Sequence, residues 1–256
     1  MRRLLFATLL LAPIAAFAAQ PCKYEAPRRL QVDLTGVRGV QIDVNSYDLH
    51  LVAGGDGKSL SVDGRACASE QGLLERLQVN QRREGDQLLI ELGGDGSSIF
   101  RLFGSSYSRL DVNVQMPSDL PVTLRVGSGD ADVEGVRELQ ANVGSGDLAV
   151  SRIAGRFSAS VGSGDIDASD LGSLDLGSVG SGDATIERIK GDARIGSIGS
   201  GDVTLSGVGG SVHADTLGSG DLEVSDVGGD FSLGAKGSGD VDHSGVKGKV
   251  SLPRGK

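Results

Sequence analysis

The chain has 256 residues and a formal net charge of −9 at pH 7. So acidic a chain is unsuited to nucleic acid, because phosphate binding needs clustered Lys and Arg. Glycine, at 41 residues, has about twice its ordinary share of roughly 7%, and aromatic residues make up only 4% of the chain. This much glycine indicates disorder, collagen or a repeat with obligatory tight turns, and the every-third-residue spacing of collagen is absent.

The N-terminal residues have the pattern of a secretory signal peptide. Arg2 and Arg3 precede an apolar stretch, residues 4–17, and Ala16-Phe17-Ala18 forms a small-x-small cleavage site. The apolar stretch is shorter than the roughly 20 residues of a membrane span. We therefore expect residues 1–18 to be removed, which changes the net charge to −11 because two arginines are lost. The mature chain is expected in the periplasm or the outer envelope, or outside the cell, with no transmembrane segment.

Two cysteines remain after cleavage, Cys22 and Cys67. Cys22 lacks the residues that precede a lipid-acceptor cysteine. In an oxidising compartment two remaining cysteines often pair, and a bridge here would tie the new N-terminus to the body of the protein. The alternative is two unrelated thiols.

A Gly-Ser-Gly-Asp tetrad recurs seven times in the second half of the chain, with steps of 17, 18, 18, 19, 19 and 19 residues between the aspartates. Disordered sequence does not keep such a register, so the pattern indicates a repeat array. The tetrads end at Asp130, Asp147, Asp165, Asp183, Asp202, Asp221 and Asp240.

Apolar residues alternate with polar ones on both sides of each tetrad, and an aliphatic residue follows each aspartate by about six positions. Alternation with a period of two is typical of short strands with one face inward. Each unit therefore holds two strands of about five residues and is too short for a crossover helix. The pattern predicts an all-β fold, a parallel β-helix with about 17–19 residues per coil and a narrow apolar core.

The tetrad itself is expected to turn the chain, because glycine adopts positive φ without strain. Its aspartate should point outward, since apolar residues lie one and three positions later. Stacked carboxylates about 5 Å apart repel by roughly 1 kcal/mol per neighbour in water. Hydrogen bonds from turn amides or bound cations would have to offset this repulsion, and the sequence favours the amides.

The first half resembles an irregular start of the same array. Residues 37–52 follow the repeat when Asn45-Ser46-Tyr47-Asp48 replaces the tetrad. Residues 53–120 then form an expanded excursion with a helical pattern at residues 70–77. We expect one solenoid domain over residues 19–256, with irregular N-terminal coils at 19–125 and the regular array at 126–256.

The order of these motifs resembles a known family. A Val-x-Gly-Val-x-Ile strand at residues 37–42, a strand ending in Met116-Pro117-Ser118-Asp119-Leu120-Pro121 and the tetrad coils are similar to bacterial cell-envelope β-solenoid proteins of unknown function, related to the "head GIN" adhesin domain. The resemblance covers residues 30–256. It implies a right-handed solenoid outside the cytoplasm and suggests adhesion. The family has no established catalytic residues to carry over.

Catalytic motifs are absent from the sequence. There is no Gly-x-Ser-x-Gly elbow, and Gly57-Lys58-Ser59 fails as a phosphate loop because Val52 stands where the first glycine is required. The histidines are at 50, 213 and 243, and His213 and His243 are interpreted as structural or solvated. No catalytic residue, cofactor site or enzyme activity is therefore predicted. Polysaccharide-active β-helix enzymes remain an alternative, with the excursion as the only place for a site.

Calcium binding is a second alternative. Tandem glycine-aspartate turns resemble the calcium rolls built from nonapeptide repeats, but here the period is about twice as long and the aspartate directly follows the glycine. If calcium binds, the tetrad aspartates at 130, 147, 165, 183, 202, 221 and 240 are the candidate ligands.

The leading hypothesis is a non-catalytic envelope scaffold or an adhesion module whose partner is an unknown envelope protein or glycan. Phe100, Phe103 and Tyr107 form the one aromatic cluster and are the candidate partner-binding residues. The alternative is that they plug the excursion against the coils. The chain ends in Pro253-Arg254-Gly255-Lys256, and proline and charge there should blunt the open strand edge, which favours a monomer.

Overall fold

A computed structural model of the chain describes residues 22–55, 57–93 and 106–253. Twenty strands and one short helix occur in this part, and the strands belong to one continuous sheet. No helix in the described ranges is long and apolar enough to cross a membrane. The N-terminal elements are β1 (Tyr24–Asp33), β2 (Gly39–Asn45), β3 (Asp48–Ala53), β4 (Ser59–Ala68), α1 (Gln71–Leu74), β5 (Val79–Glu84), β6 (Gln87–Leu92) and β7 (Ser108–Met116). The array comprises β8 (Val122–Val126), β9 (Ala131–Glu134), β10 (Leu139–Val143), β11 (Leu148–Val161), β12 (Ile166–Val179), β13 (Ala184–Ile189), β14 (Ala193–Ile198), β15 (Val203–Val208), β16 (Val212–Leu217), β17 (Leu222–Val227), β18 (Phe231–Lys236), β19 (Val241–Ser244) and β20 (Val250–Ser251).

The array is a parallel β-solenoid, as the repeat predicts. Strands that follow a tetrad stack in parallel on one face, for example β13, β15, β17 and β19. Strands that precede a tetrad stack in parallel on the second face, for example β14, β16 and β18, and β20 continues this stack after the last tetrad. The longer strands β11 and β12 continue around the corner and contribute to both faces. Each coil thus consists of two strands joined by a tetrad edge and a corner edge.

The core lies between the two faces and consists of aliphatic rows. Residues one position after each aspartate pair in register from coil to coil, as in Val203 with Leu222 and Leu222 with Val241. Phe157 and Phe231 are completely buried in the rows of the second face. No polar or charged side chain of the described residues is buried. The core is therefore dry, and the hydrophobic effect on these rows holds the coils together.

The spatial order of the first coils differs from their order in the chain. β2 lies between β6 and β8, and it is parallel to both. β3 likewise lies between β7 and β9. Much of the predicted excursion is therefore an additional coil made of β6 and β7, stacked outside the coil made of β2 and β3. The sequence contains this coil as alternating apolar residues, because every second side chain of β6 and β7 must face the core.

Antiparallel strands close the N-terminal end of the solenoid. β4 pairs with β7, β1 pairs with β4, and β5 pairs with β6, all antiparallel. The segment predicted as helical contains only the four-residue α1, and Leu77 behind it is buried. Arg28 donates hydrogen bonds to the carbonyls of Leu77 and Leu74, the second at 2.8 Å. These strands cover the core rows at the N-terminal end of the solenoid.

Candidate functional site

The outward aspartates of successive coils form a row that we call the aspartate ladder. Asp111 and Asp48 are opposite each other in β7 and β3, and the residues after Asp48 and Asp130 are paired, so the N-terminal coils extend the ladder. In spatial order the ladder consists of Asp111, Asp48, Asp130, Asp147, Asp165, Asp183, Asp202, Asp221 and Asp240.

Backbone amides donate to most carboxylates of this ladder. The amide of Asp147 donates to Oδ1 of Asp130 at 3.1 Å, and the amide of Asp165 donates to Oδ1 of Asp147 at 3.0 Å. The same bond recurs at 2.8–2.9 Å in the four following steps up to Asp240. Each such bond favours the charged carboxylate and offsets part of the repulsion between neighbours.

The expected reason for the tetrad glycines is wrong. None of them has a positive φ, so the turn does not require that backbone conformation. A Cβ on the second glycine of any tetrad would instead lie less than 3.0 Å from a backbone oxygen of the preceding coil, as Gly164 would from Gly146. Glycine is needed because the turns stack backbone on backbone, at the spacing of neighbouring strands.

The N-terminal end of the ladder contains a pair of neighbouring carboxyl groups. Partial burial of Asp111 raises the pKa of its carboxyl, and the hydrogen bond to Asp48 and the charge of Asp48 act in the same direction. Arg109 and Arg65 oppose the shift through their positive charge. A proton shared between these two carboxyl groups relieves their repulsion.

The ladder carboxylates are spaced along the coils and are not clustered. Within the described ranges no group of three or more His, Cys, Asp or Glu side chains is arranged to hold an ion. An open groove is lined by Asp130, Asp147 and Asp165 and also by Asp132 and Asp167. The candidate calcium ligands are thus placed one per coil, and most use Oδ1 to accept an amide.

A second row of residues, which the sequence interpretation missed, lies at the corner edge. The residue before each corner aliphatic adopts a left-handed conformation in every coil of the array: Gly135, Arg152, Asp170, Arg188, Gly207, Asp226 and Gly245. Arg188 donates to both carboxylate oxygens of Asp170, at 2.9 and 3.2 Å, and this bond is the main reason why the pKa of Asp170 is lowered. In the sequence, the recurrence of Gly or Asp at this position indicates the left-handed backbone conformation, which these residue types adopt most readily.

The histidines lie on the surface in outward or terminal positions. His50 Nδ1 is 3.1 Å from Asp132. His243 occupies an inward row in the last described coil and packs edge-on against Phe231, with ring centroids 6.0 Å apart.

His213 forms the arrangement closest to a catalytic triad. Its Nδ1 is 2.8 Å from Ser232 Oγ and its Nε2 is 2.9 Å from Asp215 Oδ1. Arg194 also binds Asp215, at 2.7 Å. Ser232, however, is the second residue of β18 and is paired on both sides, by β16 and β20, so the strand presents no free pair of amides for an oxyanion. The cluster is open to solvent on a flat face.

Of the three aromatic partner-binding candidates, Phe100 and Phe103 lie outside the described residues. Tyr107 is 39% exposed. Its hydroxyl accepts a hydrogen bond from the amide of Lys23 at 3.1 Å, and its own amide donates to Ser69 Oγ at 3.1 Å. The disulfide between Cys22 and Cys67, with Cα atoms 5.5 Å apart, lies beside these contacts. Tyr107 therefore lies beside the contacts that attach the N-terminal strand to the rest of the protein.

These features define an all-β parallel solenoid with a closed N-terminal end, an aspartate edge and a charged corner edge. The profile of the Toastrack DUF4097 family matches residues 37–250, and the chain belongs to this family. The resemblance to a β-solenoid family of unknown function is thereby confirmed. No curated protein matches the chain.

Solved structures with low identity are similar to this chain. A "putative adhesin" from Parabacteroides merdae is 12% identical, with 91% of this chain and 97% of that chain covered and a TM-score of 0.44. A "putative adhesin" from Parabacteroides distasonis is 15% identical, covering 89% and 97%, with a TM-score of 0.42. A "putative lipid binding protein" from Parabacteroides distasonis is 16% identical, with the same coverage and a TM-score of 0.38.

Proposed function

We propose that the chain is a non-catalytic, exported β-solenoid that serves the cell envelope as a scaffold or as an adhesion or interaction module. The main support for this proposal is that the polar and charged side chains of the described residues lie outside the core. Among the described residues no polar or charged side chain is buried, and the polar residues form outward rows, one residue per coil. Such a surface offers a partner a long regular array in place of an enclosed reaction site.

Export is supported by two independent features. The N-terminal residues have the charged, apolar and small-residue regions of a signal peptide. Cys22 and Cys67 form a disulfide, a bond that persists in oxidising compartments. The proposed partner is an envelope protein or glycan, and Tyr107, together with Phe100 and Phe103, is proposed to contact it.

A binding experiment tests the interaction. Purified protein is immobilised and incubated with solubilised envelope proteins and, separately, with envelope polysaccharide. We expect the wild type to retain a specific component, and Tyr107→Ala and the Phe100→Ala/Phe103→Ala variant to lose it. Tyr107→Phe is the matched control, because it keeps the ring and removes only the hydroxyl that contacts Lys23. Retention by all variants alike would remove the aromatic residues from the proposal.

A reactivity experiment tests the absence of catalysis. The protein is treated with a fluorophosphonate probe for activated serine and assayed for release of reducing sugar from envelope polysaccharide. We expect neither labelling nor cleavage, since Ser232 lacks oxyanion donors on its flat strand. Labelling that disappears in Ser232→Ala, or cleavage of a polysaccharide, would overturn the non-catalytic proposal.

A further inference from the structure

The two ends of the solenoid differ in whether further described strands pair with the outermost coil. Antiparallel strands cover the N-terminal end, whereas β19 and β20 pair with the array on one side only. In the preceding coil the amide of Leu222 donates to the carbonyl of Asp240, and that of Phe231 to the carbonyl of Lys249, both at 2.9 Å. The counterparts of Leu222 and Phe231 in the last described coil are Val241 and Val250, and no described residue accepts their amides.

No described residue covers the core rows beyond this coil. Leu252 is 40% exposed, whereas Leu233, the residue at the same position one coil earlier, is 5% exposed. His243 is exposed although its row partner Val224 is completely buried. The remaining inward side chains of this coil, Val241, Val246 and Val250, are only partly buried. We call these five side chains the terminal patch.

Opposite charges flank the terminal patch. Asp240 and Asp242 lie on the tetrad side, and the Asp240 side chain is 83% exposed, with Lys236 of the same chain 3.6 Å away. Lys247 and Lys249 are exposed on the corner side. A surface with acid on one side and base on the other is complementary to itself when it is turned around.

We propose that two copies of this chain dock through their terminal patches about a two-fold axis that is perpendicular to the solenoid axis and to its two faces. This operation reverses the strand direction, so that β19 meets its copy antiparallel and both faces continue across the contact. It also places the Asp240 side of each copy against the Lys249 side of the other. The opposite end shows that this solenoid accepts an antiparallel strand on an outer coil, since β4 pairs in this way with β7. The expectation of a monomer is replaced by this proposal.

Two substitutions at adjacent positions test the contact by analytical ultracentrifugation of the purified protein. Leu252→Asp places a charge in the terminal patch, while Ser251→Asp places the same charge on the outward row. We expect the wild type and Ser251→Asp to form dimers, and Leu252→Asp to dissociate at least tenfold more readily. Circular dichroism verifies that both variants fold. X-ray scattering of the dimer should show a particle nearly twice as long with an unchanged cross-section.

Charge exchange identifies the partner as a second copy. Lys247→Glu/Lys249→Glu alone and Asp240→Lys/Asp242→Lys alone should both weaken self-association, because like charges then meet. Mixing the two variants should restore a dimer that contains one of each. The proposal is overturned if the wild type stays monomeric at high concentration, if Leu252→Asp dimerises like the wild type, or if the mixture associates no better than its components.

Discussion

At the scale of single residues, the glycines and aspartates of the tetrads are explained by contacts with the neighbouring coil and not by the turn that contains them. Each second glycine leaves room for the backbone of the neighbouring coil, and each aspartate holds the amide of the next aspartate. Neither partner is near in the sequence, so turn chemistry alone suggested positive φ for the glycines. The outward direction of the aspartates could be predicted, because it follows from the alternation on the same strand.

Alanine in place of a tetrad glycine measures the close approach. Gly164→Ala should destabilise the protein by about 1–3 kcal/mol or more, because its Cβ would overlap the carbonyl oxygen of Gly146. Gly54→Ala is the matched control, since Gly54 has open space around a new Cβ and no positive φ. Urea denaturation compares the two variants. Equal midpoints would show that the turn can widen without loss.

The carboxyl pair of Asp111 and Asp48 should make stability depend on pH. Relative to high pH, the raised pKa of Asp111 stabilises the folded state. This contribution to stability is complete below the ordinary aspartate pKa of about 3.9 and is lost as the pH rises through the raised pKa. Asp111→Asn should therefore raise the melting temperature at pH 7, and its advantage should shrink toward about pH 4. Thermal melts of both proteins over this range provide the measurement. An advantage that is independent of pH would point to packing instead.

At the scale of elements, the N-terminal strand is held by several independent contacts. β1 pairs with β4 along its whole length, and Arg28 binds the carbonyls of Leu74 in α1 and Leu77 behind it. The disulfide closes a loop with a sequence separation of 45. This strand completes the cover over the first coil, so its attachment protects the core at that end.

Removing the disulfide should destabilise the closed end. Cys22→Ser/Cys67→Ser should lower the free energy of unfolding by up to about 4 kcal/mol, the chain-entropy value for a loop of this length. Denaturation of the wild type with and without reductant supplies the control, since the variant should match the reduced wild type and respond to no reductant. An unaltered midpoint would mean that the β1–β4 pairing alone fastens the strand.

At the scale of the whole molecule, the solenoid is an acidic column whose coils contact mainly their neighbours. Most carboxylates along the tetrad edge accept backbone amides, and we therefore expect the chain to fold without divalent cations. Stability should therefore come from the dry rows and from stacking, as in other repeat architectures. The net charge predicts sensitivity to ionic strength more than to a particular ion.

Calcium provides a direct test of this view. The melting temperature should be the same in millimolar calcium and in chelator at matched ionic strength, because the ladder carboxylates accept backbone amides. Magnesium at the same concentration controls for screening. A rise in melting temperature that is specific to calcium and is lost in Asp165→Asn/Asp183→Asn would show that the ladder binds calcium.

The sequence by itself determined the coil length, the two strands per coil, the inward rows and the outward aspartates, because these follow from periodicity and from alternation within a strand. Only the tertiary structure decided that β6 and β7 lie outside β2 and β3, that Asp48 meets Asp111, and that antiparallel strands cover the N-terminal end while no described strand pairs beyond the last coil. These arrangements depend on pairing between strands far apart in the chain. Alternation marks which side of a strand is buried, but many neighbours can satisfy it.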